Sequence, residues 1–324
     1  MKLNLPIFDR LANSQNILIA GAGGGFDVFS GLPLYFALRE QGKTVHLANY
    51  SFTDFEIAGI VSQLELLVDG LVMGGRAPVM KRFPYFPEGY LSQWFKEVRS
   101  EDVTVWMLAK VGVAPLVMAY EALIEHLKID ALILVDGGVD SIMRGDEIGA
   151  GTLVEDSISL AAADTLDIPV KILACIGFGT EVEEAVCHYN ALENIAALAK
   201  EGAFLGSCAL VPQMEAFQLF EAACRYVWEQ PGHAKSHIST RIIPAVQGQF
   251  GNYHMYPNDS LGIANIFISP LMSLYWFFDA ASVIKRNLLI DLLRPTLTTH
   301  EAMIRVATYR QHLKARPRRA IPYP

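Results

Sequence analysis

Paired cysteines are missing from this sequence. Cys175, Cys187, Cys208 and Cys224 form no C-x-x-C motif, which removes a paired-cysteine metal site and agrees with a reducing compartment. An apolar leader is missing too, since Asp9 and Arg10 follow soon after Met1 and leave no hydrophobic stretch of the secretory kind. A cytoplasmic location is the expectation. Long apolar runs are scarce. The most hydrophobic segment, residues 263–284, is interrupted by Asn265, Pro270 and Asp279, so its unbroken pieces fall short of the ~20 residues that span a bilayer. No membrane partner is expected. The segment, with Tyr275, Trp276, Phe277 and Phe278, reads as a buried helix or as a subunit interface, and the second option makes the chain a candidate homo-oligomer. Positive charge is also in short supply. The formal net charge is −8, and without a basic patch in the body of the chain nothing is available to neutralise the phosphates of a nucleic acid. Only the end is basic, with Lys314, Arg316, Arg318 and Arg319 before Pro322-Tyr-Pro324, and it reads as a solvated arm.

Several catalytic signatures are absent as well. No G-x-S-x-G elbow and no H-E-x-x-H helix occurs, so nucleophilic-serine and zinc mechanisms have no support in the sequence. What is present is material for a large core: 324 residues, 52% of them apolar and only 19% charged, fit one large α/β domain with additions. Short runs rich in Val, Ile, Leu and Ala predict strands at 17–20, 45–49, 103–109, 131–135 and 170–176. Helical patterns lie between most of them, at 28–41, 87–98, 113–127 and 155–165. This alternation predicts a Rossmann-like, doubly wound, mostly parallel sheet with helices on both faces. The core is placed at 14–180, a helical and mixed elaboration at 181–313 and the basic tail at 314–324. Within the elaboration, helical patterns run over 182–201, 214–229 and 298–313, around a mixed stretch at 237–256. Right-handed crossovers bring the loops after residues 20, 49, 109, 135 and 176 to one rim, where a site is expected.

The first strand leads into the densest glycine cluster, Ile17-Leu-Ile-Ala-Gly-Ala-Gly-Gly-Gly-Phe-Asp27. Gly21, Gly23, Gly24 and Gly25 allow a tight turn and a close backbone approach to a ligand, and the helix expected after Asp27 presents unpaired N–H groups, so an anion is the expected guest. The spacing is one residue off the dinucleotide fingerprint, and Asn49 stands where an acid would hold the ribose. NAD(P) chemistry is therefore the runner-up, and the nucleotide cofactor stays open. No Lys-Ser/Thr follows the glycines, which disfavours a P-loop NTPase. A purely structural tight turn would use the same glycines.

The second constellation follows the fourth strand: Asp136-Gly-Gly-Val-Asp-Ser-Ile-Met-Arg-Gly-Asp-Glu147, then Thr152, Glu155 and Asp156. Carboxylates at 136, 140, 146, 147, 155 and 156, with Arg144 among them, repel one another unless a cation, a donor or water intervenes. One purpose is Mg²⁺ held by Asp136 and Asp140 beside a phosphorylated substrate. The other makes Asp136 or Asp140 a general base or a binder of sugar hydroxyls, with Gly137 and Gly138 lining the site and Arg144 meeting an anion. Glu147, Glu155 and Asp156 are instead expected to cap or start the helix near 155.

A third group lies further along, in His237-Ile-Ser-Thr-Arg241 and Gln247-Gly-Gln-Phe-Gly-Asn-Tyr-His254. Here His254 is a candidate acid or base near neutral pH and Arg241 a candidate ligand-binding residue. Gly177 and Gly179, in Ile176-Gly-Phe-Gly-Thr-Glu181, stand on the expected rim.

The glycine block ending at Asp27, the acidic block ending at Glu147 and the Gly-Thr-x-x-Glu-Asp156 after it resemble domain-of-unknown-function family 1152, over most of the chain. That resemblance implies a Rossmann-like α/β architecture and carries no reaction. The residues themselves point to an enzyme, a hydrolase or transferase, acting on a small anionic metabolite, phosphorylated or nucleotide-like, held between glycine loop 21–27 and acidic loop 136–147. A non-catalytic ligand sensor or assembly subunit is the alternative, and an NAD(P)-dependent oxidoreductase a further one.

Overall fold

A computed structural model describes residues 5–79, 85–181, 185–230, 234–256 and 266–321. Of the segments named above, residues 182–184, 263–265 and 322–324 lie outside the described residues. The five predicted strands appear as β1 (Asn16–Gly21), β2 (Thr44–Ser51), β5 (Val105–Ala109), β6 (Ala131–Asp136) and β7 (Val170–Ile176). The others are β3 (Ser62–Val68), β4 (Val72–Val79), β8 (Phe204–Ala209), a small antiparallel pair β9 (Gly251–Asn252) and β10 (Phe267–Ile268), and β11 (Leu274–Asp279).

Nine of these strands form one sheet in the order β3-β4-β5-β2-β1-β6-β7-β11-β8. Neighbours from β5 through β2, β1 and β6 to β7 are parallel. Among the parallel strands, chain order runs outward from β1 through β2 to β5 on one side and from β6 to β7 on the other, so the direction of winding reverses between β1 and β6. A doubly wound sheet places its crevice at that reversal.

Because side chains alternate across a strand, Leu18 and Ala20 enter one core layer while Ile17 and Ile19 enter the other. Both faces are covered, which is why these strands read as continuous apolar runs. The helix Val113–Leu127 covers the first face with Leu116, Ala119, Tyr120 and Leu123, spaced i, i+3, i+4, i+7. On the other face the helix Pro87–Arg99 sets Leu91, Trp94 and Phe95. Burying each such aromatic contributes on the order of 2 kcal/mol.

Four features differ from the reading of the sequence. The helix expected over 28–41 is two helices, Asp27–Ser30 and Leu32–Glu40, because Pro33 has no N–H with which to continue the ladder. The hairpin β3–β4 fills a stretch where no element was expected, turning at Asp69-Gly70, where Gly70 has φ +67°. The aromatic segment contains a strand instead of a helix: β11 lies antiparallel between β7 and β8, and its Tyr275, Phe277 and Phe278 are buried within this chain, not offered to a second subunit. A short apolar run bounded by turns has no period to distinguish strand from helix, and its aromatic richness favours the strand. Finally, one residue of the basic tail is docked rather than solvated, whereas Lys314, Arg318 and Arg319 are exposed as expected. Arg316 forms ion pairs with Asp146 at 3.0 Å and with Glu147 and Glu193, while Arg310, from the helix Thr299–His312, donates to the carbonyls of Gly145 (3.0 Å) and Glu147 (2.6 Å).

Candidate functional site

Loops at the C-terminal ends of β1, β2, β6 and β7 meet above the reversal point and enclose a pocket of about 610 Å³. The glycine loop and the acidic loop form facing walls of it: Gly23, Gly24, Gly25 and Asp27 on one side, Asp136, Gly137 and Asp140 on the other. Thr152, Glu155, Asp156 and Glu181 complete the acidic lining, and Phe52, Tyr85, Lys235, Ser236 and His237 contribute to the rest.

Each carboxylate is placed by a different element. Asp136 ends β6, Asp140 opens a 3₁₀ turn (Asp140–Ile142), Asp156 is in the first turn of the helix Leu153–Thr165, and Glu181 follows the turn after β7. These four are buried, at 1–4% exposure, and Asp27 is half-buried. Backbone and hydroxyl donors orient most of them. Asp27 accepts from the amides of Gly23 (2.7 Å) and Gly137 (3.2 Å), Asp136 from the amide (3.2 Å) and hydroxyl of Ser141, Asp140 from the amide (2.6 Å) and hydroxyl (3.0 Å) of Thr152, and Glu181 from the amide of Val139 (2.6 Å). Asp156 is the exception. Neither of its oxygens accepts a hydrogen bond among the described residues. Burial first, then the charges of Asp140, Asp136, Asp27 and Glu181, push its pKa well above the ordinary 3.8. Asp27 is raised in the same direction, by burial and then by Asp136, against the pull of the Gly23 amide.

The glycines make room for this crowding. A Cβ on Gly23 would stand 2.9 Å from both an Asp27 oxygen and an Asp156 oxygen, and one on Gly137 would stand 2.8 Å from Asp27. Side chains at Gly138 and Gly151 would overlap Glu181 and Asp140. As a result, ligand oxygens of Asp27, Asp136 and Asp156 all lie within 4.8 Å of one another, and so do those of Asp136, Asp140 and Glu181. At the rim, the Lys110 ammonium sits 3.9 Å above the Phe52 ring and 3.2 Å from Glu155.

The sequence-predicted residues divide clearly. Gly23, Gly24, Gly25, Asp27, Asp136, Gly137 and Asp140 line the pocket. The helix after the glycine loop has only four residues, and Asp27 itself takes the Gly23 amide that an anion was expected to meet. Gly24 and Gly25, with φ +93° and +61°, keep left-handed backbone there, and neither amide donates to a group among the described residues. Gly21 is a packing position beneath Asn49 and Val28. Gly138 clears space for Glu181 without lining the pocket. Gly177 and Gly179 shape the turn before Glu181, where the Thr180 hydroxyl donates to the Gly177 carbonyl at 2.7 Å. Arg144 lies outside the pocket, 3.7 Å from Asp146. Arg241, buried on the helix Ser239–Val246, donates to the Thr180 carbonyl and anchors that turn. His254 follows β9 and is not among the pocket residues.

Asp156 and Glu181 are the clustered carboxylates that the sequence reading did not assign to the site, and Phe52, Tyr85, Lys235 and Ser236 also line the pocket without a signal in the sequence. Asp156 was masked by the helix start it belongs to, and Glu181 by the glycine turn that attracted attention instead. Asn49, read as a missing ribose ligand, is buried and donates to the Gly25 carbonyl (2.9 Å) and to the Glu88 carboxyl (2.8 Å). Glu88 is fully buried and also accepts from Thr53 at 2.8 Å, and burial raises its pKa. The end of β2 is thus packed by a side chain of the helix Pro87–Arg99.

With a Rossmann-like sheet and a rim pocket in place, the comparison with known families falls on the same ground. Residues 89–310 match the family described as a protein of unknown function, DUF1152, and the chain belongs to that family. The matched span includes the acidic loop, Asp156 and Glu181, whereas the glycine loop precedes it. No curated protein and no solved structure matches the chain.

Proposed function

We propose that the pocket binds a divalent cation, Mg²⁺ by its hard oxygen donors, and that the protein is an enzyme acting on a small phosphorylated or nucleotide-like metabolite by hydrolysis or group transfer. The observation that carries this reading is Asp156, a buried carboxylate with no hydrogen-bond donor, set against Asp27 and Asp136. A buried charge without a partner is costly, and a cation is the partner that three converging carboxylates favour. An anionic substrate would meet the cation rather than the carboxylates, with the amides of Gly24 and Gly25 as further donors. Lys235 in the pocket lining fits the same substrate charge. Asn49 and Glu88, which fill the end of β2, weigh against a dinucleotide in the usual pose.

Calorimetry with inorganic phosphate, with and without Mg²⁺, followed by turnover assays on phosphate monoesters and nucleotides, tests the proposal. Phosphate should bind only when Mg²⁺ is present, and Asp136→Asn should lose that binding while staying folded. Equal phosphate binding without the cation, or in the folded variant, would overturn the reading.

A further inference from the structure

We infer that the substrate is a nucleoside phosphate, with its base on Phe52 and Tyr85 beside the glycine loop and its phosphate at the cation. The inference rests on the cation reading above and narrows its substrate class. At about 610 Å³ the pocket is far larger than a phosphate, and it lies within the roughly 300–1,000 Å³ range of sites that enclose whole small ligands. Its lining is divided in chemistry. Asp27, Asp136 and Asp156 converge where the cation is placed, while Phe52 and Tyr85 bring aromatic surface to the same cavity. Phe52 is 40% exposed, an apolar ring that the chain leaves uncovered at the wall of a polar pocket.

Both rings are held in place by their neighbours. A Cβ on Gly24 would stand 2.5 Å from the Phe52 ring, so only a glycine admits the ring to that position. The Lys110 ammonium, 3.9 Å from the ring centroid, fixes Phe52 further and is not itself among the pocket-lining residues. Tyr85 packs edge-on against Phe26, with ring centroids 6.2 Å apart. The two aromatics converge on Gly25: a Cβ there would lie 3.5 Å from the Tyr85 hydroxyl and 3.9 Å from the Phe52 ring, and the glycine puts no side chain between them. Aromatic surface of this kind stacks on a nucleobase, because every base has a π-face, whereas a sugar phosphate would leave it bare. Glu155 connects the two ends of the pocket. It precedes Asp156 in the chain, lines the cavity and lies 3.2 Å from Lys110, which sets an acceptor for sugar hydroxyls on the path from phosphate to base.

Calorimetry on the full chain in Mg²⁺, comparing AMP, GMP, CMP and UMP with ribose 5-phosphate, tests the inference. At least one of the four nucleotides should bind about tenfold tighter than ribose 5-phosphate or better. Phe52→Leu and, separately, Tyr85→Leu should each take most of that advantage away, while ribose 5-phosphate, which carries no base, keeps its affinity; either variant suffices if the other fails to fold. Ribose 5-phosphate binding as tightly as every nucleotide would overturn the inference and leave the proposed function standing. Tight nucleotide binding that survives in both folded variants would overturn the assignment of the base to Phe52 and Tyr85. Failure of all five phosphates to bind in Mg²⁺ would overturn the proposed function and the inference with it.

Discussion

Glu147 and Asp156 lie on the same stretch of chain, and both are almost completely buried, yet their surroundings are opposite. Glu147 accepts from the amides of Arg144 (3.0 Å) and Gly145 (2.9 Å) and from the Asn194 side chain (3.0 Å), and it is paired with Arg316. Asp156 accepts from nothing among the described residues and faces four other carboxylates. Burial alone therefore does not mark a functional acid. Satisfaction of its lone pairs separates the two: Glu147 holds the C-terminal segment onto the acidic loop, whereas both oxygens of Asp156 lack a donor among the described residues, the position the proposed cation would fill.

The largest effect that should sharpen this contrast is at the satisfied acid. Arg316→Ala leaves Glu147 buried with its amide donors but without its counter-charge, and should cost roughly 2–3 kcal/mol in urea denaturation. A loss under half that size would mean that the tail contributes little and that the two acids differ less than their contacts imply. Next in size is Asp156→Asn, which removes an unpartnered buried charge. In the absence of divalent cations it should raise stability by about 1 kcal/mol, the reverse of what a cap or core role predicts.

Protonation should separate the two regions as well. Asp27 and Asp156 keep their protons in the folded state at pH values where the unfolded chain has released them, so between the ordinary aspartate value of 3.8 and the raised folded values the native state binds more protons. The stability they contribute is present below that window and is lost as pH rises through it. Cation-free wild type should lose stability from acid to neutral pH more steeply than Asp156→Asn, as measured by melting temperature across a buffer series. Equal slopes would contradict the assignment. The smallest effect is expected at His254, outside the pocket: His254→Ala should change stability by under about 0.5 kcal/mol and leave phosphate binding intact.

Much of this architecture is legible in the chain. The strands around the reversal point announce themselves because burial on both faces makes them short, continuous apolar runs, and right-handed crossovers then fix the rim on which Asp27, Asp136 and Asp140 stand. Other features depend on partners distant in sequence. Arg316 reads as a solvated arm until Glu147, 169 residues earlier, is brought beside it. Asp156 sits where a first helical turn normally carries an acid, so local pattern explains it without a ligand. The glycine loop is legible as a close approach, but in the fold the carboxylates of Asp27 and Asp156 approach Gly23, while Phe52 approaches Gly24. β11 is hidden because a short apolar run buried on both faces has no period that separates a strand from a buried helix.

Thermal unfolding of wild type and Asp156→Asn over a Mn²⁺ titration at neutral pH tests the central claim most directly. A ligand that binds only the native state stabilises it by about 2.7 kcal/mol at a hundredfold excess over Kd, so the wild-type melting temperature should climb with Mn²⁺ while that of Asp156→Asn stays nearly flat. A wild type indifferent to Mn²⁺, or a variant that climbs equally, would contradict a cation site at Asp156.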